Sequence, residues 1–437
     1  MKTKTSIFAE TIAIGSELLV GGRVDTNSLF VSEQLAGLGI VVRFKSIVGD
    51  DKPDIVRAIR LATRRADVVL MTGGLGPTED DCTREAVAYS TGRHLRRSQE
   101  AFNGMSARLA QWGRLPSRAQ LRQAMIPAGS TVLSNSVGSA PGFSLTWNGS
   151  FLAALPGVPR EMEQMMLQEV TPRLQAWLSD HRSPLPTPII RQVFHTFGLP
   201  ESDVDARLKG LVGKRAGVDL GLLASPMGVL ISLTTKGAGS HKRRTITRRV
   251  IADNLLQPFA QEVRMRMGDW LFAEGADTLE EVVGRTLSTQ GLTLAIAESC
   301  TGGLISHRLT QVPGSSTYLD RGVVCYSNRS KMDMLGVSEK ILARHGAVSA
   351  EVASAMAKGI RERSRVSIGL SVTGIAGPGG ATEIKPVGLV YVGLDTGAGG
   401  SKTQEFHFHG DRSTIKLRSS QAALDLLRRW LITSGQA

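Results

Sequence analysis

The sequence predicts an α/β protein in which two α/β sheet domains are joined by a small α+β middle module. Apolar, strand-like runs alternate with helix-periodic segments in residues 1–175 and again in residues 273–437, a pattern typical of sheets covered by helices. Prolines alternate with other residues in 183–188, so this stretch is predicted to be a linker. With 437 residues the chain is long enough for two or three separately packed domains, which we place at 1–175, 176–272 and 273–437.

The amino-acid composition limits the class of protein and the kinds of partner that the chain can bind. Hydrophobic residues make up 41% of the chain and charged residues 21%, as in an ordinary globular protein. The net charge of +13 suits nucleotides, phosphates or nucleic acid without deciding among them. No apolar run approaches the roughly 20 residues that span a bilayer. Glu10 and Glu17 interrupt the apolar stretch near the N-terminus, and a signal peptide would not tolerate these charges. We therefore expect a cytoplasmic location without membrane contact. Cys82, Cys300 and Cys325 lie too far apart to indicate disulfides or a zinc site.

The first region alternates strands and helices. Residues 67–71 are nearly all apolar, which suits a strand in the middle of a parallel sheet. The other elements predicted from periodicity are strands at 7–14 and 40–48, and helices at 27–38 and 54–65.

The glycine-rich loop at residues 72–81 follows the third predicted strand, at the edge where ligands bind in such sheets. The backbone amides of Gly73, Gly74 and Gly76 are suited to line a phosphate. Asp80 or Asp81 is suited to hold a divalent cation through oxygen. An alternative is that one carboxylate caps the helix that starts near residue 83, and both roles can coexist.

The middle region predicts a small α+β module without catalytic residues. We expect strands at 189–197 and 229–235, and helices at 201–211 and 245–267. A spacer or dimerisation surface is the favoured role, and we expect a homodimer. The basic stretch at 241–249 is interpreted as a solvated helix face, with nucleic-acid contact as the alternative.

In the last region, small and polar residues again follow predicted strands. We expect a helix at 279–287, strands at 292–297, 322–326, 366–372 and 387–394, and a final helix at 412–431. The polar clusters lie at 298–303, 326–331, 373–380 and 410–412. An open sheet would bring the loops that follow its parallel strands together at one edge.

Ser299 is the candidate nucleophile, in a turn whose small residues let a substrate approach and whose following helix would offer free amides to an oxyanion. The alternative is an ordinary turn with a Ser or Thr cap. Serine needs a base, and the nearest histidines, His307 and His345, lie outside the motifs. Lys331, partly buried beside Tyr326, is suited to act as that base, unless it is a surface lysine. Tyr326 would then relay the proton or orient the lysine.

The neighbouring cysteine competes with Ser299 for the nucleophile's role. A helix N-terminus would lower the pKa of the Cys300 thiol and make it reactive. We nevertheless expect Cys300 to pack inward as a small apolar residue, because adjacent residues at a sharp turn point in different directions.

Four segments of the first region, 15–19, 25–27, 72–81 and 156–162, resemble in order the molybdopterin-binding-type domain at the N-terminus of CinA proteins, which are competence/damage-inducible proteins. The resemblance implies metal-dependent ADP-ribose pyrophosphatase activity rather than molybdenum cofactor synthesis. It implies that Asp81 is the first candidate for the metal ligand and Asp80 the second, and it does not identify the divalent ion. It also places Asn27 in the substrate cleft, with Glu17 facing it and Arg160 on its rim.

Segments 298–303, 326–331, 373–378, 385–388 and 410–412 are similar to the C-terminal domain of the same family. This likeness implies nicotinamide mononucleotide amidohydrolase activity, which releases nicotinate mononucleotide and ammonia and requires no metal or other cofactor. It makes Ser299 the nucleophile, with Tyr326 and Lys331 as its activating partners. One departure is Ala381-Thr382, where many relatives extend a glycine run. The residues implied to contact the substrate are Thr301, Gly302, Gly303, Thr373, Gly374, Gly377 and Arg412, the last meeting the phosphate.

Three functions therefore compete, with amide hydrolysis at the C-terminal site as the primary one. The second keeps the N-terminal pyrophosphatase as the main activity. The third is a non-catalytic nucleotide sensor or nucleic-acid-associated protein, although nucleic acid is not the partner that we favour. Ammonia release without metal supports the first, and metal-dependent AMP release from ADP-ribose supports the second. Steeply salt-dependent DNA binding with neither activity supports the third.

Overall fold

The computed structural model describes residues 7–181, 185–213, 217–235, 245–397 and 400–434, of which 245–253 and 434 are described by their backbone alone. The chain divides into two compact units. One comprises Met1–Arg191, Arg215–Val218 and Thr234–Gln257, and the other comprises Gln192–Lys214, Asp219–Leu233 and Pro258–Ala437. Among the described residues, no helix combines the length and the apolar character that crossing a bilayer requires.

The first unit is built on a mixed sheet whose centre is parallel. Its strands are β1 (Ile7–Ile14), β2 (Ile40–Val48), β3 (Val68–Thr72), β6 (Thr131–Leu133), β7 (Gly142–Trp147) and β8 (Ser150–Leu155), and a separate pair is formed by β4 (Leu95–Arg97) and β5 (Met125–Pro127). The strand order is β2-β1-β3-β8-β7-β6. β1, β2, β3 and β8 run parallel, whereas β7 and β6 are antiparallel additions. All residues of β3 are buried, as its apolar sequence predicts for a central strand.

The helices of this unit follow the predicted alternation with small differences at their ends. They are α1 (Ser16–Leu19), α2 (Asn27–Gly37), α3 (Lys52–Arg65), α4 (Thr83–Ser90), α5 (Gln99–Gln111), α6 (Pro159–Met165) and α7 (Thr171–His181), with a π turn at Met166–Val170. α3 starts two residues earlier than predicted. Its N-cap Asp51 accepts a hydrogen bond from the Asp54 amide, and Pro53 fits the first turn, where no amide donor is needed.

The middle segment carries a four-stranded sheet of order β10-β11-β9-β12. Its strands are β9 (Arg191–Thr196), β10 (Val218–Ser225), β11 (Gly228–Thr235) and β12 (Leu271–Glu274), and its helices are α8 (Glu201–Leu208) and α9 (Thr245–Met267). α8 ends before the predicted residue 211, because Gly210 adopts a positive φ of 76° that stops a helix. Residues 183–184 of the predicted linker and residues 241–244 of the basic stretch lie outside the described residues.

The last segment forms the sheet that positions the serine motif. Its strands are β13 (Leu294–Glu298), β14 (Leu319–Val324), β15 (Ile368–Gly374), β16 (Leu389–Asp395) and β17 (Ser401–His407), in the order β14-β13-β15-β16-β17. β14, β13 and β15 are parallel, so their carboxyl ends meet at one edge. β17 runs antiparallel to β16 and ends at that same edge, since β16 is itself antiparallel to β15. The predicted strand at 322–326 was placed too late, because β14 ends at Val324 and leaves Tyr326 in the loop.

Helices cover both faces of this sheet. They are α10 (Leu279–Gln290), α11 (Leu304–Thr310), α12 (Asn328–Leu335), α13 (Glu339–His345), α14 (Ala350–Ser364) and α15 (Arg412–Ser434). Two buried apolar clusters result, one that includes residues of α10, α11 and α15 and one that includes residues of α12, α13 and α14. His345 is the last residue of α13. The predicted α/β class is confirmed.

Candidate active sites

Ser299 is held at the carboxyl end of β13 by the sheet itself. Its amide donates to the Val372 carbonyl of β15 at 3.0 Å, while the amide of Cys325 donates to the Glu298 carbonyl at 2.7 Å. Cys300 is buried in the apolar core beside α11, as expected. Burial raises the pKa of the Cys300 thiol to about 12, so the thiol stays protonated at neutral pH. The turn therefore presents a hydroxyl rather than a thiolate.

Glu298 changes the expected role of the helix that follows. Its buried carboxylate accepts hydrogen bonds from the amides of Gly303 (2.9 Å), Ile305 (3.2 Å) and Ser306 (2.9 Å), and from the Ser306 hydroxyl (2.7 Å). The expectation that these first amides remain free for an oxyanion is wrong, because a carboxylate already occupies them. Glu298 instead fixes the turn that carries Ser299.

Lys331 lies directly beside the serine. It is on α12, whose start is fixed by a reciprocal capping box between Ser327 and Ser330. Only 1% of Lys331 is exposed, so it is more deeply buried than expected. Its Nζ donates to Ser299 Oγ at 3.2 Å, to the Cys325 carbonyl at 2.9 Å and to the Tyr326 carbonyl at 3.1 Å. Burial lowers the pKa of Lys331, because the desolvated ammonium is disfavoured.

The three acceptors determine what a neutral Lys331 can do. An ammonium has three donors, which match the two carbonyls and Ser299 Oγ. A neutral amine keeps two N–H groups and gains one lone pair. Carbonyl oxygens can only accept, so the two donors stay on Cys325 and Tyr326 and the lone pair faces Ser299. Loss of one proton thus converts Lys331 into a base aimed at the serine hydroxyl.

Tyr326 contacts the lysine through its main chain and not through its phenol. The phenol is in a side chain that is 61% exposed, and its oxygen accepts from Arg412 Nη2 at 2.9 Å. Arg412 Nη1 donates to the Gly377 carbonyl at 2.7 Å. Arg412, at the start of α15, therefore links the loops after β14 and β15. These two bonds leave further guanidinium donors available to an anion.

The remaining predicted contact residues mainly shape the loops. Thr373 is buried and its hydroxyl donates to the Ala347 carbonyl at 2.8 Å. Gly374 lies so close to β16 that a Cβ there would be 2.6 Å from a Val390 side-chain atom. Thr301 is buried, and its hydroxyl has no hydrogen-bond partner among the described residues. Gly302 and Gly303 both adopt positive φ, which permits the sharp turn after Ser299.

The first unit contains a second candidate site, a cavity of about 100 Å³ lined by Glu17, Asn27, Thr72 and Gly157 among others. Asn27 begins α2 and its Nδ2 donates to the Gly157 carbonyl at 2.8 Å. Its Oδ1 is buried without a hydrogen-bond partner among the described residues. A buried amide oxygen left in this way favours a ligand that supplies a donor.

The glycine-rich loop after β3 is tightly packed. A Cβ on Gly73 would be 2.1 Å from the Ile14 carbonyl oxygen, and one on Gly74 would be 2.2 Å from the Thr83 hydroxyl. At Gly76 the Cβ would meet the Asp81 carboxylate at 2.4 Å. Gly73 and Gly74, which both adopt positive φ, are therefore required by the loop's own packing, whereas at Gly76 the contact is with the end of a side chain that can move aside.

Asp80 and Asp81 follow this loop without capping α4, whose N-cap is Cys82 and has no side-chain cap. Asp81 Oδ2 instead accepts from the amide of Thr78 at 2.9 Å and from its hydroxyl. Asp80 is exposed, and hydrogen bonds, chiefly from Thr78, lower the pKa of its carboxyl. Within the described ranges, no group of three or more His, Cys, Asp or Glu side chains can hold a metal ion. A Mg²⁺-like ion needs only one or two carboxylates when water and substrate phosphates complete its shell, so these two fit it.

Comparison with known proteins identifies the family of the chain. A family model of the CinA C-terminal domain matches residues 276–431, and models of the "Probable molybdopterin binding domain" and the "Damage-inducible protein CinA KH domain" match residues 10–176 and 191–273. A CinA-like protein of Geobacter sulfurreducens is 41% identical over 424 residues, which is 97% of this chain and 99% of that protein. The chain belongs to the CinA family. A CinA-like protein of Geotalea uraniireducens is 40% identical over 427 residues, 98% of each chain. A solved structure, of a competence/damage inducible protein from Agrobacterium tumefaciens, is 42% identical and covers 36% of this chain and 97% of its own, with a TM-score of 0.34.

In this CinA chain, Arg84 is a residue that sequence reasoning missed. It is almost fully buried on α4, and its guanidinium donates to the carbonyls of Leu75 and Gly76, both at 2.7 Å. Burial lowers the pKa of Arg84, so its charge under the glycine-rich loop costs desolvation energy. The sequence gives no signal of this, since an arginine in the first turn of a helix usually faces solvent.

Lys416 is a second residue that sequence reasoning missed. A Cβ on Gly302 would be 3.4 Å from Lys416 Nζ, so the ammonium lies against the serine turn of the CinA C-terminal domain. The sequence could have indicated Lys416, because it follows Arg412 by four positions on α15 and residues at that spacing share a helix face. The two cations together make this part of the site suited to an anionic substrate.

Proposed function

We propose that this CinA protein is a nicotinamide mononucleotide amidohydrolase that releases nicotinate mononucleotide and ammonia. The observation that carries the proposal is the contact of 3.2 Å between Lys331 Nζ and Ser299 Oγ in a buried setting. The described hydrogen-bond partners of Lys331 are three neutral oxygens, so no carboxylate stabilises its charged form. A lysine of this kind is suited to exchange a proton with a serine nucleophile.

The reaction proceeds in two halves. Neutral Lys331 takes the Ser299 proton as Oγ attacks the carboxamide carbon, and the ammonium that forms offsets part of the negative charge on the adjacent oxyanion. That proton then passes to the leaving nitrogen, ammonia departs, and an ester joins Ser299 to the nicotinoyl group. Lys331 next takes a proton from water, which attacks the ester carbonyl. The ester C–O bond then breaks, the proton on Lys331 returns to Ser299 Oγ, and the acid product gives its own proton to solvent and leaves as the carboxylate.

The charges around the site support a phosphorylated pyridinium substrate. Arg412 and Lys416 supply two cations on one face of α15, which suits a phosphate. The exposed ring of Tyr326, whose phenol oxygen accepts a hydrogen bond from Arg412, offers an aromatic face to a cationic pyridinium. The family resemblance supplies the choice of nicotinamide mononucleotide within this class.

The test is ammonia release from nicotinamide mononucleotide by the full chain, with and without a chelator of divalent ions. We expect equal turnover in both conditions, and much slower turnover of nicotinamide riboside, which lacks the phosphate. Lys340→Arg, at an exposed position of α13, serves as an unaffected control. Absence of ammonia release from the nucleotide at any chelator concentration would contradict the proposal.

A metal-dependent ADP-ribose pyrophosphatase in the first unit is the second candidate function. It is favoured by the unpaired Asn27 Oδ1 in a cavity that also contains Glu17. Asp81 and Asp80 would hold the divalent ion, which would neutralise phosphate charge when bound. Asn27 would orient the substrate by accepting from one of its donors.

Asp81→Asn separates the two functions. We expect it to abolish divalent-ion-dependent AMP release from ADP-ribose and to leave ammonia release from nicotinamide mononucleotide unchanged. Glu79→Gln, an exposed carboxylate of the same loop, is the matched control. If both activities fell together in folded Asp81→Asn protein, two independent sites would be ruled out.

A further inference from the structure

A cavity of about 830 Å³ is lined by none of the residues assigned above to the two candidate sites. One of its walls is formed by alternate residues of β17, a second by one face of α15, and a third by the loop before α8 and the turn between β10 and β11. Ser299, Lys331, Tyr326 and Arg412 do not line it. All of its lining residues belong to the second compact unit.

Two cations in this cavity lack partners. Lys402 on β17 and Arg418 on α15 both line it, and neither side chain makes a hydrogen bond or an ion pair with any described residue. Arg429 also lines the cavity, but it is paired with Asp425 at 2.7 Å, which also binds Arg428. The charge left over on these two walls is therefore that of Lys402 and Arg418, so these walls are suited to an anion, while the Glu201 carboxylate lines the cavity from the start of α8.

Aromatic rings line the same cavity as these cations. Phe197 and Trp270 line the cavity from the middle segment, and Phe406 and Phe408 line it from the end of β17. The rings of Phe406 and Phe408 are stacked on each other, with centroids 5.4 Å apart and planes 14° from parallel. Such surfaces are suited to bind a flat heterocycle.

We propose that this cavity is a binding site for a nucleotide. Lys402 and Arg418 would bind its phosphate, and the aromatic rings would contact its base. Glu201, which also lines the cavity, would accept hydrogen bonds from ribose hydroxyls, as acidic residues do in other nucleotide sites. The volume falls in the range of about 300–1,000 Å³ typical of sites for small ligands.

A mononucleotide fits these features better than a nucleic-acid strand. Two unpaired cations match one phosphate group, whereas a strand needs a series of cations along its backbone. The carboxylates of Glu201 and Asp425 line the same cavity and would face the further phosphates of a strand.

The test is calorimetric titration of the full chain with AMP, adenosine and inorganic phosphate. The double variant Lys402→Ala/Arg418→Ala is compared with Lys340→Ala/Arg344→Ala, which removes the same charge from exposed positions of α13. We expect the first variant to weaken AMP binding at one site per chain by about tenfold or more, and the second to leave it unchanged. Adenosine should bind the wild type and both variants alike, since it lacks the phosphate.

A second variant tests the cavity without altering its charge. Gln404→Trp places a large ring at an exposed cavity-lining position of β17, so it should block AMP while ammonia release from nicotinamide mononucleotide continues. The proposal is overturned if AMP binding is unaffected by both cavity variants, or if it is lost in Arg412→Ala instead. It is also overturned if a short single-stranded RNA binds through Lys402 and Arg418 more tightly than AMP.

Discussion

Replacing Lys331 by arginine is the perturbation that best isolates the proposed base. Arginine keeps the positive charge and can still donate to the carbonyls of Cys325 and Tyr326, but its pKa exceeds about 12 and it cannot give up a proton. General-base catalysis by a positioned side chain contributes roughly 10²–10⁴-fold. We therefore expect kcat/KM for nicotinamide mononucleotide to fall by about two to four orders of magnitude. The matched control Lys358→Arg, at an exposed position of α14, should keep wild-type activity.

The pH profile provides the second part of this test. Only neutral Lys331 accepts a proton, so activity should rise with pH up to its folded-state pKa, which burial holds below the ordinary value of about 10.4. The lowered pKa of Lys331 also determines how the free energy of unfolding changes with pH. Between the folded and the unfolded pKa the unfolded chain binds more protons, so the free energy of unfolding rises with pH in that window. Lys331→Met should lose this increment.

The assay measures ammonia release across pH alongside chemical denaturation of each variant. Near-normal kcat/KM in folded Lys331→Arg would refute the lysine base and point to a water- or histidine-based route. An unchanged pH profile of activity in Lys331→Met would refute it equally.

Two further changes test the surroundings of the serine. The Glu298 carboxylate accepts four hydrogen bonds, and Glu298→Gln replaces one of its oxygens by an NH2 group that would point at a backbone N–H. We therefore expect the free energy of unfolding to fall by roughly 1–3 kcal/mol and kcat to fall as well. Denaturant titration checks this against Glu339→Gln, an exposed control, and equal stability of the two variants would show that the carboxylate does not fix the turn. Tyr326→Phe removes the acceptor for Arg412 but leaves the carbonyl on Lys331, so KM for nicotinamide mononucleotide should rise several-fold with little change in kcat. Steady-state kinetics decide, since a large fall in kcat would make the phenol a proton relay.

The sequence predicts well what local patterns determine. The apolar run of β3 and the polar residues after β13, β14 and β15 follow from the rule that parallel strands end at one sheet edge, and the structure has this arrangement. The inward packing of Cys300 follows from the geometry of a sharp turn. Each of these features follows from a local sequence pattern combined with a general rule of chain geometry.

The features that the sequence does not predict depend on contacts that form only when the chain folds back and its elements pack together. Glu298 reaches the amides of α11 only because Gly302 and Gly303 both adopt positive φ and fold the chain back, so the free helix terminus that was expected does not exist. The burial of Arg84 beneath the glycine-rich loop likewise depends on how α4 packs. The antiparallel strand β17, which brings Arg412 to the site, was not predicted from its polar sequence.

The identity of the nucleophile tests the central claim most directly. Ammonia release from nicotinamide mononucleotide is measured for Ser299→Ala, Cys300→Ala and Cys300→Ser, together with the rate of inactivation by iodoacetamide. Because burial raises the pKa of the Cys300 thiol to about 12, alkylation should be slow and both cysteine variants should keep most of their activity, whereas Ser299→Ala should lose it. Rapid inactivation by iodoacetamide that substrate prevents, with Cys300→Ala inactive and Ser299→Ala active, would contradict the account.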